Sequence, residues 1–293
     1  MKILVAGATG VIGRRLIPLL VAANHKVIGT TRTAGKSELL EQLGAIPWVV
    51  DVFDRERLTT LVSEAHPDVI IQQLTDLSAR DSAANAYMRR EGTRNLVDAA
   101  RAAEVHHFIA QSISWIYAPG DGPADEAVPL DLEAPEPRRT TIEGVQALES
   151  AVTEIENWVV LRYGALYGPG TWYAPDGFIA EQVRRGQLPA DKGITSFLHV
   201  EDAARAALLA LDWPRGVVNV VDNEPAPGTS WLPVYAASLG APPPPITTEQ
   251  PRAARGATNA KARQVLHWHP LYPSWREGFA QIAQEGRGQA NAS

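Results

Sequence analysis

Residues 2–13 read Lys-Ile-Leu-Val-Ala-Gly-Ala-Thr-Gly-Val-Ile-Gly. A short apolar run, Ile3 to Ala6, leads directly into Gly7, Gly10 and Gly13, and an apolar helical pattern follows at Val11, Ile12, Leu16, Leu19 and Leu20. A strand that turns on glycines into a helix lets the backbone approach an anion closely. It also presents free N–H groups and the positive end of the helix dipole to that charge. With a strand before them and a helix after, glycines at this spacing predict a turn around the pyrophosphate of a dinucleotide, with Thr9, Val11 and Ile12 beside it.

Working outward, strand and helix patterns alternate. Strand candidates are Lys2–Ala6, Lys26–Thr31, Pro47–Asp51, Asp68–Gln72, His107–Gln111 and Trp158–Arg162. Their centres are mostly continuous apolar runs, as expected of parallel strands covered on both faces. Helical patterns lie between them at Gly10–Ala23, Lys36–Leu43, Arg55–Glu64, Ser78–Ala103 and Thr140–Glu154, and Pro18 inside the first of these removes a hydrogen bond. The alternation predicts an α/β Rossmann-type fold, a doubly wound parallel sheet with its ligand at the carboxyl ends of the strands.

After residue 163 the pattern breaks. Residues 163–195 are rich in Gly, Pro and aromatics; a strand-like and helical piece follows at Ser196–Leu211, and a short strand at Val217–Val221. We read one domain over 1–293. Residues 1–162 and 196–222 are mainly nucleotide-binding, and 163–195 and 223–293 form a small interleaved substrate-binding and C-terminal part. The acidic segment Ala118–Arg139 holds five prolines, so little regular structure is expected there; it reads as a lid, a binding loop or a solvated excursion.

Composition narrows the partners. The 293 residues are 45% hydrophobic and 20% charged, ordinary for a globular chain. The formal net charge of −6 argues against nucleic acid or an anionic membrane as the main partner. There is no cysteine, hence no disulfide, thiol nucleophile or cysteine-based metal site. The first strand starts at the second residue, and no apolar run reaches spanning length. A cytoplasmic protein acting on a small molecule is expected, monomer or homodimer being open. No metal is expected, because the pairs His106–His107 and His267–His269 lack carboxylates at ligand spacing; His199 reads as structural.

Several further stretches resemble one family, the extended and atypical short-chain dehydrogenase/reductases related to NAD-dependent epimerases and dehydratases. They are the glycine turn, Asp51-Val52 after strand three, Glu91-Gly92-Thr93-Arg94-Asn95-Leu96, Leu161-Arg162-Tyr163-Gly164 with Tyr167-Gly168-Pro169-Gly170, His199-Val200-Glu201-Asp202, and Asn259-Ala260-Lys261-Ala262-Arg263 with Trp268 and Pro270. The resemblance implies cofactor contacts from Asp51 and Val52, from Gln73, Leu74 and Thr75 after strand four, from Gln111 and Ser112 on strand five, and from Tyr163, Gly164 and Leu166 in the strand-six signature. The family's acidic residue at the end of strand two selects NAD; here that position is Thr31, followed by Arg32 and, nearby, Lys36. A hydroxyl plus cations accommodates a 2′-phosphate that a carboxylate would repel, so NADPH (NADP+) is the expected cofactor.

The resemblance also exposes an absence. The family's chemistry rests on a tyrosine and a lysine four residues apart on one helix face, the lysine lowering the tyrosine pKa, with a hydroxyl after strand five. Aligned on Glu149, these positions hold Thr141 and Val145, and Ile113 stands between Ser112 and Ser114 where the hydroxyl is expected. No tyrosine occurs between Tyr117 and Tyr163, and no lysine between Lys36 and Lys192. A positioned general acid contributes about 10²–10⁴-fold, so hydride transfer survives its loss given a polarised substrate or a substitute donor. Ser114, Thr141, Tyr117 and a bound water are the candidate donors.

Nucleotide-sugar members carry an asparagine and an arginine that reach the substrate diphosphate; here those positions hold Ala165 and Thr195. Trp115, Tyr117, Trp172, Tyr173 and Phe178 instead favour a flat or apolar substrate. Atypical members without the dyad include an angucyclinone ketoreductase of antibiotic biosynthesis. The expected activity is an NADPH-dependent oxidoreductase, a ketoreductase for a polycyclic aromatic or polyketide-like ketone, with substrate assistance one route for the proton. A non-enzymatic NADPH-binding redox sensor is the alternative, and a sugar-nucleotide epimerase or dehydratase the second.

Overall fold

The computed structural model describes residues 1–75 and 81–281. The strands are β1 (Lys2–Ala6), β2 (Lys26–Thr31), β3 (Ile46–Val49), β4 (Val69–Gln72), β5 (His107–Ile113), β6 (Asn157–Tyr163), β7 (Ala165–Tyr167), β8 (Ile194–Thr195), β9 (Phe197–His199), β10 (Gly216–Val220) and β11 (Ala226–Pro227). The helices are α1 (Gly13–Ala22), α2 (Ser37–Gln42), α3 (Arg55–Ala65), α4 (Ser82–Tyr87), α5 (Thr93–Ala102), α6 (Arg138–Val152), α7 (Phe178–Arg184), α8 (Val200–Leu209), α9 (Gly228–Ser238) and α10 (Ala260–Gln264). No helix among the described residues is long and apolar enough to cross a membrane. By its internal contacts the chain divides into two compact units: Met1–Ile113 with Leu130–Arg162 and Ala204–Val218, and Ser114–Pro129 with Tyr163–Ala203 and Asn219–Ser293.

The first unit is built on a seven-stranded parallel sheet in the order β10-β6-β5-β4-β1-β2-β3. The expected six strands are present, and the short strand expected at Val217–Val221 joins them as the seventh, beside β6. Register places Val5 opposite Gly29 on one side of β1 and Ala6 opposite Gln72 on the other. All four residues of β4 are buried, as are Ile3 to Ala6 of β1, so both faces of the central strands are covered and an unbroken apolar run is required of them. Helix α1 runs through Pro18 to Ala22 and buries Leu16, Ile17 and Leu20.

The long helix expected over Ser78–Ala103 is segmented: α4, a π turn over Met88–Gly92, then α5. Ser78, where the pattern starts, lies outside the described residues. A Cβ on Gly92 would lie 2.9 Å from Met88 Sδ and 3.3 Å from Val52 Cγ1, so the π turn packs closely on the loop after β3. Asn95 fixes that loop further, its amide donating to Val52 O at 3.0 Å. Helix α6 packs directly on α4: a Cβ on Gly144 would lie 2.8 Å from Ala86 Cα. Behind it, Glu149 receives the Arg162 guanidinium at 2.9 and 2.6 Å and the Ser112 hydroxyl at 2.7 Å, a bidentate buried pair joining α6 to β6 and β5.

The second unit pairs β7 with β9 in parallel and β8 with β11 antiparallel. Its core is aromatic. Phe197 meets Trp231 and Tyr173 edge-on at 5.1 and 5.4 Å, and Tyr167 meets Phe279 in the same way at 5.4 Å. Two buried carboxylates peg the C-terminal segment to this core. Asp202 accepts the backbone N–H groups of Leu271 (2.6 Å) and Tyr272 (2.9 Å), and Asp222 accepts those of Trp275 (2.8 Å) and Glu224 (3.1 Å).

Burial pushes the Asp222 carboxyl up to about 8, against the opposing effect of its two N–H donors. The folded chain therefore holds this proton above the range in which the unfolded carboxyl releases it. Stability falls as pH rises between about 4 and 8, because the unfolded state binds fewer protons there. Melting temperature across that range should show the decline, and Asp222→Asn, which does not titrate, should flatten it.

Candidate functional site

In the first unit the site starts at the end of β1. Gly7 has φ +85°, and a Cβ there would lie 2.5 Å from Gln73 O in the chain leaving β4. Gly10 donates its N–H to Gly7 O at 3.0 Å, and a Cβ on Gly13 would lie 2.5 Å from both Gly7 O and Ala8 O. Gly7 and Gly13 are thus demanded by the turn's own backbone, whereas Gly10 is exposed. Thr9 and Val11 are half-buried and Ile12 buried. No side chain caps α1 at Ile12, and its first turn carries no acid. An uncapped helix end behind a glycine turn fits a bound pyrophosphate.

Gln73 supports the same fit. It is buried, its N–H is bonded to Ala6 O at 2.8 Å, and its side-chain oxygen and nitrogen have no partner among the described residues. A buried amide left unbonded costs about 1–3 kcal/mol, and a ligand seated against the turn would remove that cost. Leu74 and Thr75 follow it, half-buried.

At the far end of β2, Thr31 is buried and its hydroxyl accepts the Thr33 N–H at 3.2 Å, turning the chain outward. Arg32 and Lys36 are exposed and have no carboxylate partner among the described residues. Asp51 is exposed and receives the Phe53 N–H at 3.0 Å, with Val52 buried beside it.

On α6, Val145 is completely buried at the position expected for a lysine. Thr140 spends its hydroxyl on Glu136 at 2.6 Å; Thr141 is half-buried, and its hydroxyl has no hydrogen bond among the described residues. On β5, the Gln111 N–H is bonded to Gln72 Oε1 at 3.3 Å, and the Ser112 hydroxyl is committed to Glu149. One charged group escaped the sequence reading. Arg89, on the π turn, is only 5% exposed, and burial pushes its guanidinium down to about 10 while Glu149 opposes the shift. Its sequence context, two arginines before a glutamate, looks like a solvated helix face.

The second unit holds the remaining predicted residues. Ser114 is buried, with its N–H on Tyr163 O at 2.9 Å. Trp115 is 47% exposed and Trp172 is 38% exposed, with Phe178 edge-on to Trp172 at 6.1 Å. Tyr117 differs from expectation. It is 1% exposed, and its hydroxyl donates to Asn219 Oδ1, whose amide in turn donates to Ala124 O and Thr258 O, both at 3.2 Å. A hydroxyl closed into such a buried network holds the loop and offers no proton to a substrate. Tyr173 packs among Phe197, Trp231 and Tyr235, and burial raises its phenol to about 12. Tyr163 donates to Ala203 O at 3.1 Å; Gly164 has no room for a Cβ, which would lie 2.7 Å from Ser196 O; Leu166 is half-buried on β7. Asn219 was not anticipated, since a lone asparagine in an apolar strand gives no signal by itself.

Comparison with known proteins places this geometry. A 3-diazoavenalumate denitrifying reductase from a Streptomyces species is 43% identical over 305 aligned residues, covering 95% of this chain and 99% of that protein. A 4-hydroxy-2-methyl-3-oxo-4-farnesyl-3,4-dihydroquinoline-1-oxide ketoreductase from Stigmatella aurantiaca is 25% identical, covering 82% of this chain and 74% of its own length. Among solved structures, the UDP-glucose 4-epimerase of Thermotoga maritima superposes with a TM-score of 0.78 at 22% identity, over 99% of this chain and all of that one. The Thermus thermophilus UDP-glucose 4-epimerase, solved with NAD, gives 0.75 at 24% identity over 98% of this chain and 99% of its own. Residues 3–221 match the NAD dependent epimerase/dehydratase family, and the chain belongs to that family.

Proposed function

We propose that this chain is an NADPH-dependent reductase that delivers hydride to an electron-poor aromatic substrate whose acceptor needs no proton from the protein, an arene diazonium being the chemical class that fits best. The observation that carries this reading is the buried Val145 on α6 where a lysine would stand, with Thr141 in place of the tyrosine one turn before it. Only interactions stronger in the transition state than in the ground state accelerate a reaction. A ketone gains negative charge on oxygen as hydride arrives, and a general acid stabilises that charge. A diazonium is already cationic; hydride addition neutralises it, and an acid has no developing anion to stabilise. The 43% identical relative, named for reductive removal of a diazo group, supports the same class.

The reaction balances without a proton. The arene diazonium and NADPH give the arene, dinitrogen and NADP+: the carbon–nitrogen bond breaks, a carbon–hydrogen bond forms, and two electrons pass with the hydride. The cofactor supplies that hydride when bound. The turn at Gly7–Gly13, the N-terminus of α1 and Gln73 would hold its pyrophosphate. Arg32 and Lys36 would meet a 2′-phosphate, and Asp51 and Val52 would border the adenine. Ser114, Trp115, Trp172 and Phe178 are the substrate-facing groups, the indoles supplying flat apolar surface. A second reading, reduction of an aromatic ketone, is favoured by the quinoline-oxide ketoreductase relative. It requires Thr141 or Ser114 to donate through a hydroxyl free of other partners. Relatives named as reductases weigh against a purely regulatory binder.

Two experiments test the proposal. Incubation with C4-deuterated NADPH and a simple arene diazonium that carries no ring hydroxyl should release dinitrogen and place deuterium on the former C–N carbon, above a protein-free control. Thr141→Val should leave that turnover within about twofold, whereas a ketone substrate should lose roughly 10²-fold. Turnover of ketones alone, abolished by Thr141→Val, contradicts the diazonium reading. For the cofactor, Arg32→Ala should weaken NADPH binding about tenfold, near 1.4 kcal/mol, and leave NADH binding unchanged; equal tightness for the two dinucleotides in the unaltered protein contradicts the assignment.

A further inference from the structure

The segment that begins with Ser114 and Trp115 continues as the acidic, proline-containing loop up to Pro129, and the structure pins this loop along its length. Arg255 is the main pin. Its Nε donates to Gly122 O at 2.7 Å, Nη2 to Asp121 O at 2.6 Å, and Nη1 to Ala118 O at 3.4 Å. Three carbonyls of one loop converge on a single planar guanidinium, which uses its rigid fork as a template for the loop's curvature. Gly120 is the counterpart: a Cβ there would lie 2.3 Å from Arg255 Nη1, so only a glycine lets the fork approach this closely.

The flanking contacts explain why the guanidinium is itself fixed. Residues 254–258 form a strap. Ile194 donates its N–H to Ala254 O at 2.8 Å, Ala257 donates to Ser196 Oγ at 2.9 Å, and Ala124 N–H and Thr258 N–H exchange bonds with Gly256 O and Ala124 O at 3.0 and 2.9 Å. Gly256, at φ +71°, bends the strap at the required place. From the other side, Asn219 donates its N–H to the Glu126 carboxylate at 2.7 Å and accepts the Tyr117 hydroxyl on its side-chain oxygen. The first part of the segment read as a lid, a binding loop or a solvated excursion is therefore held in place by a short strap and one arginine.

We propose that Arg255 is a positioning residue for substrate: it sets the path of the loop that follows Ser114 and Trp115, and so fixes where these two groups stand. The proposal rests on the substrate-facing role given above to Ser114 and Trp115. Arg255 touches neither substrate nor cofactor. It acts through Ala118, Asp121 and Gly122.

The test has an arm that needs no substrate. Amide hydrogen exchange is compared between the unaltered full chain, Arg255→Gln, Arg255→Lys and Gly120→Ala. Gly120→Ala keeps the arginine and displaces only its tip. Peptides covering 114–129 should exchange at least about tenfold faster in Arg255→Gln and in Gly120→Ala, with peptides of β1, β4 and α1 unchanged. Arg255→Lys should recover part of the protection. With an arene diazonium that carries no ring hydroxyl as probe, KM should rise about tenfold with kcat within about twofold, and the NADPH dissociation constant should stay constant. Unchanged exchange in both Arg255→Gln and Gly120→Ala overturns the proposal whatever the enzyme's reaction. Faster exchange with an unchanged KM overturns the positioning role and leaves a purely structural clamp. Faster loop exchange with no turnover of the probe by the unaltered protein indicts the diazonium reading and leaves the clamp intact.

Discussion

The first unit depends on one close approach. The backbone leaving β1 at Gly7 comes so near the backbone leaving β4 at Gln73 that a single methyl group would lie 2.5 Å from the Gln73 carbonyl. That contact sets the crevice where two neighbouring strands release their chains. It forces the positive φ at Gly7, starts α1 with its N–H groups clear, and leaves the buried Gln73 amide facing no partner among the described residues. Gly7 and Gly13 are therefore required by the protein before any ligand arrives. The cradle is preformed, so little ordering cost remains to be met on binding.

The other decisive constraint is on α6. Gly144 lets it press against Ala86, and Glu149 ties it to Arg162 and Ser112, so the helix is anchored firmly. What it presents is a buried valine and an uncommitted threonine. On the reading proposed above, this helix carries no side chain of the kind that usually transfers the proton. The proposed acceptor, which arrives positively charged, fits that combination, and one relative is named for diazo reduction and another for ketone reduction.

The fold was readable wherever a local pattern was sufficient. Continuous apolar runs gave the six strands from Lys2 to Arg162, and the alternation gave the sheet, because burial on both faces leaves a period-free signature. Thr31 and Arg32 were visible as a departure from an acidic position. The rest depended on contacts distant in sequence. Nothing around Gly92 announces a π turn, and the neighbour it packs against, Val52, lies forty residues away in the chain. Tyr117 looked like a pocket aromatic and is instead locked onto Asn219, more than a hundred residues away in the chain. Asp202 and Asp222 peg backbone N–H groups of residues 271, 272 and 275, and Arg255 organises a loop far upstream; no spacing rule encodes either.

The central claim is hydride transfer without a proton donated by the protein. The most direct measurement is the single-turnover rate of NADPH oxidation by an arene diazonium, followed in H2O and D2O across about pH 6 to 9, where a general acid would reveal its own ionisation. The account predicts a rate that is flat with pH and a solvent isotope effect of about 1. A rate that falls through a single ionisation, with a solvent isotope effect of about 2 or more, would contradict it and assign the missing proton to a group on the chain.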